Sequence, residues 1–191
     1  MLRIRRKSNG ERLLTALRGG VPDAVPYFDY EISGHVVDAV LDRTGSPSHR
    51  DLSPQDYVAF CRHVGMDAVY VPFQWELGRI YRTTDDGRPQ YVDGSMKTRE
   101  HLTAVSPPEL SDSLARLEEV GTEARRAGLA IILGIITPYK VVKAAVGYQD
   151  FLLKTIDDPD FLAAFRDIVS AHMADALAAF LEYPVDALWI P

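Results

Sequence analysis

Three groups of side chains in this sequence have types that do chemistry, and each stands at the end of an apolar run. Asp29, Glu31 and His35 close the first run, Gln74, Trp75 and Glu76 the second, and Thr137, Tyr139 and Lys140 the third. Asp29 and Glu31 lie two apart, so they share one face of any strand that persists through them. On such a face the carboxylates supply a general base or ligands to a cation; off it they are solvated loop acids. His35 is a proton carrier or metal ligand, or else it caps a short helix at the surface. Trp75 is an aromatic wall for a flat substrate or plain packing under a neighbouring hairpin. Tyr139 and Lys140 suit an anionic group on a substrate, or simply begin the next helix. Cys61 and His63 form Cys-Arg-His, but on a helix residues two apart point about 200° away from each other. Cys61 therefore reads as a core residue and no metal site is assigned. His172 reads as a core histidine with a backbone partner, and His49, His63 and His101 as surface residues.

The elements that must position these groups alternate between strand and helix. A short amphipathic helix over Glu11 to Arg18 runs into Gly19-Gly20, and Ala24 to Tyr30 reads as a first strand interrupted by Pro26. Gly34 to Leu41 suits a short helix. Ser53-Pro54-Gln55-Asp56 caps and opens the next, whose apolar face is Tyr57, Val58, Phe60, Cys61 and Val64 and whose stop is Gly65. Asp67 to Phe73 is a second strand, buried on both sides. Arg79 to Val92 alternates around Asp86-Gly87 and reads as a β-hairpin. Ser106-Pro107-Pro108-Glu109 has the form of a capping box and opens a helix closed by Gly128. Leu129 to Ile136 is a central parallel strand, Asp158-Pro159 begins the longest helix, and Val185 to Ile190 is a fourth strand. Alternating βα units of this kind imply a parallel sheet.

Composition narrows the function classes. The 191 residues are 47% hydrophobic and 25% charged, with a net charge of -6, as in a soluble globular domain. The acidic balance argues against nucleic acid, and the basic start Arg3, Arg5, Arg6 and Lys7 reads as a solvated arm. No apolar run approaches the roughly 18 residues of a membrane span, and the start lacks a signal peptide's apolar region. One cysteine excludes an internal disulfide framework. The expected location is the cytoplasm. No dinucleotide-binding fingerprint and no phosphate-binding P-loop are present.

Three blocks then carry a resemblance: Glu11 to Pro26; Asp67 to Phe73 with Leu77-Gly78; and Leu133 to Tyr139 followed by Tyr148 to Leu153 and Asp157-Asp158-Pro159-Asp160-Phe161. In order and spacing this resembles the N-terminal half of the uroporphyrinogen decarboxylase superfamily. That superfamily includes the decarboxylase of haem biosynthesis and methyltransferases that work with corrinoid proteins and thiols. The resemblance implies an α/β fold, half of a TIM-type (β/α)8 barrel. Residues 1–191 would form one partial barrel domain of about four parallel strands, with a hairpin insertion near 79–94. In a barrel the active site lies at the C-terminal strand ends. The resemblance therefore makes Asp29, Glu31 and His35 candidate catalytic residues, and Gln74, Trp75, Glu76, Thr137, Tyr139 and Lys140 candidate substrate-binding residues.

Within the superfamily the methyltransferase branch fits better. The decarboxylase follows its first strand with an Arg-Gln-Ala-Gly-Arg-Tyr run that binds tetrapyrrole carboxylates; here Asp29 to His35 is acidic. The expectation is methyl transfer linked to a corrinoid protein or a methylated small molecule. The alternatives are uroporphyrinogen decarboxylation in porphyrin biosynthesis and a non-catalytic half-barrel that binds or oligomerises. The resemblance places zinc ligands mostly in the second half of a full-length parent. The expected partners are a small-molecule substrate and a corrinoid protein. A half-barrel with open sheet edges is expected to self-associate.

Overall fold

Local signals of the sequence become helices α1 (Gly10–Leu17), α2 (Gly34–Leu41) and α3 (Pro54–Val64), then strand β1 (Ala68–Phe73) and the pair β2 (Arg79–Thr83) and β3 (Pro89–Gly94). There follow α4 (Arg99–Leu102), α5 (Ser111–Ala127), β4 (Ala130–Ile135), α6 (Pro138–Val146), α7 (Tyr148–Asp157), α8 (Pro159–Leu181) and β5 (Ala187–Trp189). The structure is a computed structural model that describes residues 7–85, 87 and 89–190. Arg3, Arg5, Arg6 and Asp86 of the sequence reading lie outside the described residues. The chain divides into two compact units: residues 1–73, 111–135 and 181–189 form one, and residues 74–110, 136–180 and 190–191 the other.

The first unit holds a three-stranded parallel sheet in the order β1-β4-β5, with Ala68 opposite Ala130 and Ile132 opposite Ala187. Every residue of β4 is buried, as a central parallel strand requires. Helix α3 is capped by the Ser53 hydroxyl, which accepts the Asp56 N–H at 3.2 Å. The helix buries Tyr57, Val58, Phe60, Cys61 and Val64, the face read from the sequence. Leu13 of α1 packs with Ala68, Tyr70, Ala130 and Ile132; each large aliphatic side chain buried in this way contributes about 1.5–3 kcal/mol.

The expected strand over Ala24 to Tyr30 joins no ladder and bends at Ala24 and Tyr30, so the sheet of the described residues has three strands rather than four. One backbone and one side-chain hydrogen bond to Asp67 hold it instead. The Tyr27 carbonyl accepts the Asp67 N–H at 2.7 Å, while the Tyr27 N–H donates to the Asp67 carboxylate at 2.9 Å. Further along β1 the Tyr57 hydroxyl accepts the Tyr70 N–H at 2.8 Å and donates to the Tyr70 carbonyl at 3.0 Å. Pro72 has no N–H to offer. The outer edge of β1 is thus closed by side chains where a neighbouring strand would pair.

Two other boundaries move. Helix α5 begins at Ser111, not at the Ser106 box. Pro108 disfavours helical geometry at Pro107, and the Glu109 carboxylate accepts the Leu110 N–H at 3.0 Å instead. Strand β5 spans only Ala187–Trp189, because Asp186 enters by its side chain: its carboxylate accepts the Ile131 N–H at 2.8 Å.

The second unit carries the hairpin, with β2 and β3 antiparallel and a register shift between Ile80 and Tyr81. Two helices stand where the sequence suggested only the start of one. Gly147, at φ 95°, separates α6 from α7. The root of the hairpin sits on this corner. The Met96 N–H donates to the Ala145 carbonyl at 2.9 Å, the Tyr91 hydroxyl donates to the Ala144 carbonyl at 2.9 Å, and the Lys97 ammonium bridges Asp93 and Asp150. Gly94 lies so close that a β-carbon there would stand 2.2 Å from the Ala145 carbonyl oxygen and 2.5 Å from the Gly147 nitrogen. Backbone must move to admit it. Gly94→Ala is therefore expected to lower stability by about 2 kcal/mol, within the usual cost of overpacking. A urea melt checks this, and an unchanged midpoint would rule out the close approach.

Candidate functional site

Loss of a regular first strand changes what Asp29 and Glu31 can do. They do not alternate along a ladder. The Asp29 carboxylate accepts the Glu31 N–H at 3.2 Å, a local turn stabilised by the side chain. Glu31 is exposed, and its carboxylate lies 3.5 Å from the Arg50 guanidinium. His35 stands exposed in the first turn of α2, with the Ser33 hydroxyl 3.2 Å from its Nδ1. Asp29, Glu31 and His35 thus belong to one short segment of the first unit. His35 faces solvent beside its own helix cap.

That segment is held from below by a side chain the sequence reading placed at the surface. His49 is fully buried. Its Nδ1 accepts the Ile32 N–H at 2.8 Å, and its own N–H donates to the Ile32 carbonyl at 2.9 Å. The ring packs on Tyr57, with centroids 5.2 Å apart, and on Phe60 at 5.7 Å. Burial lowers its pKa from the ordinary histidine value and Arg50 acts the same way, while the Asp29 and Ile32 carbonyls and the Asp29 carboxylate oppose them. The residues after His49 are anchored in turn, since Arg116 of α5 donates to the Arg50 and Leu52 carbonyls at 2.7 Å each. Nothing in the local sequence marks His49 as buried, because the short 310 turn His49–Asp51 has no apolar periodicity.

In the second unit the expected binding residues separate in role. Gln74 is exposed. Trp75 is buried and meets the ring of His172 edge-on at 5.9 Å. The Glu76 carboxylate is engaged by Arg79 at 2.9 Å and by the Tyr81 hydroxyl. Thr137 caps α6, its hydroxyl accepting the Lys140 N–H at 3.3 Å. Tyr139 is exposed; its ring meets Phe151 edge-on at 5.5 Å and lies 5.0 Å from the Lys143 ammonium.

Tyr139 also lines a cavity of about 460 Å³ between α6, α7 and α8. Val142, Phe151, Leu162 and Ala163 make its walls mostly apolar, and Thr155, Arg166 and Ser170 bring polar atoms to it. That volume is in the range of small-molecule sites, roughly 300–1,000 Å³. Arg166 is bonded to the Asp167 carboxylate through Nε at 2.9 Å and Nη2 at 2.7 Å. The sequence held a signal for this face: Leu162, Arg166 and Ser170 recur every four residues. It was masked by the stronger apolar stripe of Phe161, Phe165, Val169 and Met173, which is buried.

Among the described residues no three His, Cys, Asp or Glu side chains are grouped to hold a metal ion. Cys61 is sealed in the core, where burial pushes its thiol pKa up and keeps it protonated. The described residues therefore do not fit a zinc centre. Among them, no helix is long and apolar enough to cross a membrane.

No protein-family model and no curated protein sequence matches this chain. Among solved structures it is similar to a methyltransferase from Methanosarcina mazei, with a TM-score of 0.65 and 22% sequence identity. The likeness covers 97% of this chain and 59% of that one. The chain thus spans about three-fifths of the length of the methyltransferase it matches, and what the two share is the fold.

Proposed function

We propose that the chain is the N-terminal part of a methyltransferase (β/α)8 barrel of the uroporphyrinogen decarboxylase kind. Its reaction would be methyl transfer linked to a corrinoid protein or to a methylated small molecule. The observation that carries this reading is the fold likeness to a methyltransferase over 97% of the chain. The acidic character of Asp29 and Glu31 supports it, since carboxylates without a facing arginine run repel a polyanionic tetrapyrrole. In this reading Asp29 and Glu31 accept the proton of an attacking thiol. The methyl donor, when bound, would supply the methyl group to the thiol sulfur, and the donor atom that had carried the methyl would keep the bonding electron pair. Self-association belongs to the same proposal, because Leu188 and Trp189 on the terminal strand β5 are exposed.

The test is an anaerobic incubation of the purified chain with methylcobalamin and a simple thiol. Cleavage is followed by absorbance and the methyl thioether by mass. A rate above the protein-free control is expected. Combining Asp29→Asn with Glu31→Gln should lower it by about 10²–10⁴-fold, the usual contribution of general base catalysis. A folded chain with no rate above the control would sink the reading.

A further inference from the structure

Asp29 and Glu31 sit on a segment whose position depends on one buried, titratable ring. His49 makes both backbone bonds to Ile32, one through its own N–H and one through Nδ1. Accepting the Ile32 N–H requires Nδ1 to carry no proton, so the bound state is the neutral tautomer with the proton on Nε2. Nε2 is buried and has no hydrogen-bond partner among the described residues. The ring is fully buried, and two aromatic rings pack against it.

We infer that His49 is a pH-sensitive latch on the segment carrying Asp29 and Glu31: protonation at Nδ1 sets two N–H donors against each other and releases Ile32. The position of these acids, and with it the site proposed above, would then depend on pH; this last link rests on the proposed function, whereas the latch itself does not.

The surroundings favour the neutral form at neutral pH. From α3 the ring meets Tyr57 and Phe60. From the strap after it, Arg50 disfavours a second positive charge, while on the held segment the Asp29 carbonyl and carboxylate and the Ile32 carbonyl favour it. Glu31 pairs with Arg50 and so weakens the arginine's influence. Burial outweighs the Asp29 and Ile32 contributions together, and the folded-state pKa lies below the ordinary value of 6.5. The sign follows from linkage. Above the unfolded value both states are neutral and the latch is fully closed; below it the open state binds the proton better, and closure is lost as pH falls toward the folded-state pKa. The strap is held independently through Arg116, so release should free the 29–34 segment while the strap stays in place.

The test follows the His49 ring by NMR and the Ile32 amide by hydrogen exchange, between pH 7.5 and pH 5. On the full chain, the protection factor of Ile32, corrected for the intrinsic exchange rate, is expected to fall by at least about tenfold as His49 protonates. His49→Asn places an amide oxygen where Nδ1 accepts and cannot titrate, so Ile32 should stay protected across the range. Unchanged Ile32 protection in the wild type through the His49 titration would overturn the latch, as would equal opening in His49→Asn. The methyl-transfer assay is a separate readout. Opening of Ile32 without activity would refute the proposed function and keep the latch; activity with an unresponsive Ile32 would do the reverse.

Discussion

Replacing Asp67 by alanine is expected to cost about 3–5 kcal/mol of stability, the usual penalty for removing one partner of a buried ion pair. Asp67 is fully buried at the entry to β1. One carboxylate oxygen accepts the Arg12 guanidinium at 2.7 Å and the Asn9 N–H at 2.9 Å; the other accepts the Tyr27 N–H. Arg12 also forks onto Asp23, through Nε at 2.7 Å and Nη2 at 3.0 Å. The alanine variant leaves a buried guanidinium with the more exposed Asp23 and the Lys7 carbonyl, and strands two backbone N–H groups. The start of α1 and the Asp23 to Tyr27 stretch lose their common anchor to the entry of β1. Urea denaturation of wild type and Asp67→Ala checks this. A loss below about 1 kcal/mol would mean the pair is solvated and does not join these segments.

Asp67 and Asp186 show what the sequence could and could not tell. Both stand before an apolar run, and the runs Ala68–Phe73 and Ala187–Trp189 became strands. The parallel order, the long helix, the hairpin and the face of α3 were legible, because periodicity and caps are local properties. What each aspartate does was not. One collects N–H groups from residues 40 and 58 positions away, and the other from a residue 55 away. Long-range side-chain bonds leave no local pattern, and they are what decided that Ala24 to Tyr30 would lie beside the sheet without entering it. The candidate site divides in the same manner. The types and order of Asp29, Glu31, Trp75 and Tyr139 came from the sequence. The burial of His49, the commitment of Glu76 to Arg79 and Tyr81, and the cavity on α6, α7 and α8 depend on tertiary neighbours.

The same physics sets the effect of Tyr57→Phe. Removing a single hydroxyl leaves both the N–H and the carbonyl of Tyr70 without their partner. Tyr70 lies in a buried stretch of β1, so water does not replace the bonds without opening the edge. At about 1–3 kcal/mol for each orphaned buried group, the expected loss is about 3 kcal/mol, although the ring and its packing are kept. The Tyr70 amide should exchange much faster in the variant, which native-state hydrogen exchange would detect directly. A competing outcome is equally informative. If the Tyr27 stretch closes onto β1 once the hydroxyl is gone, Tyr70 stays protected and the loss shrinks. The Tyr57 hydroxyl would then be the group that keeps a fourth strand out of the sheet. If Tyr70 is exposed and the loss is near 3 kcal/mol, the proline-interrupted segment cannot form a ladder even when the edge is free, and Pro26 and Pro72 are the reason.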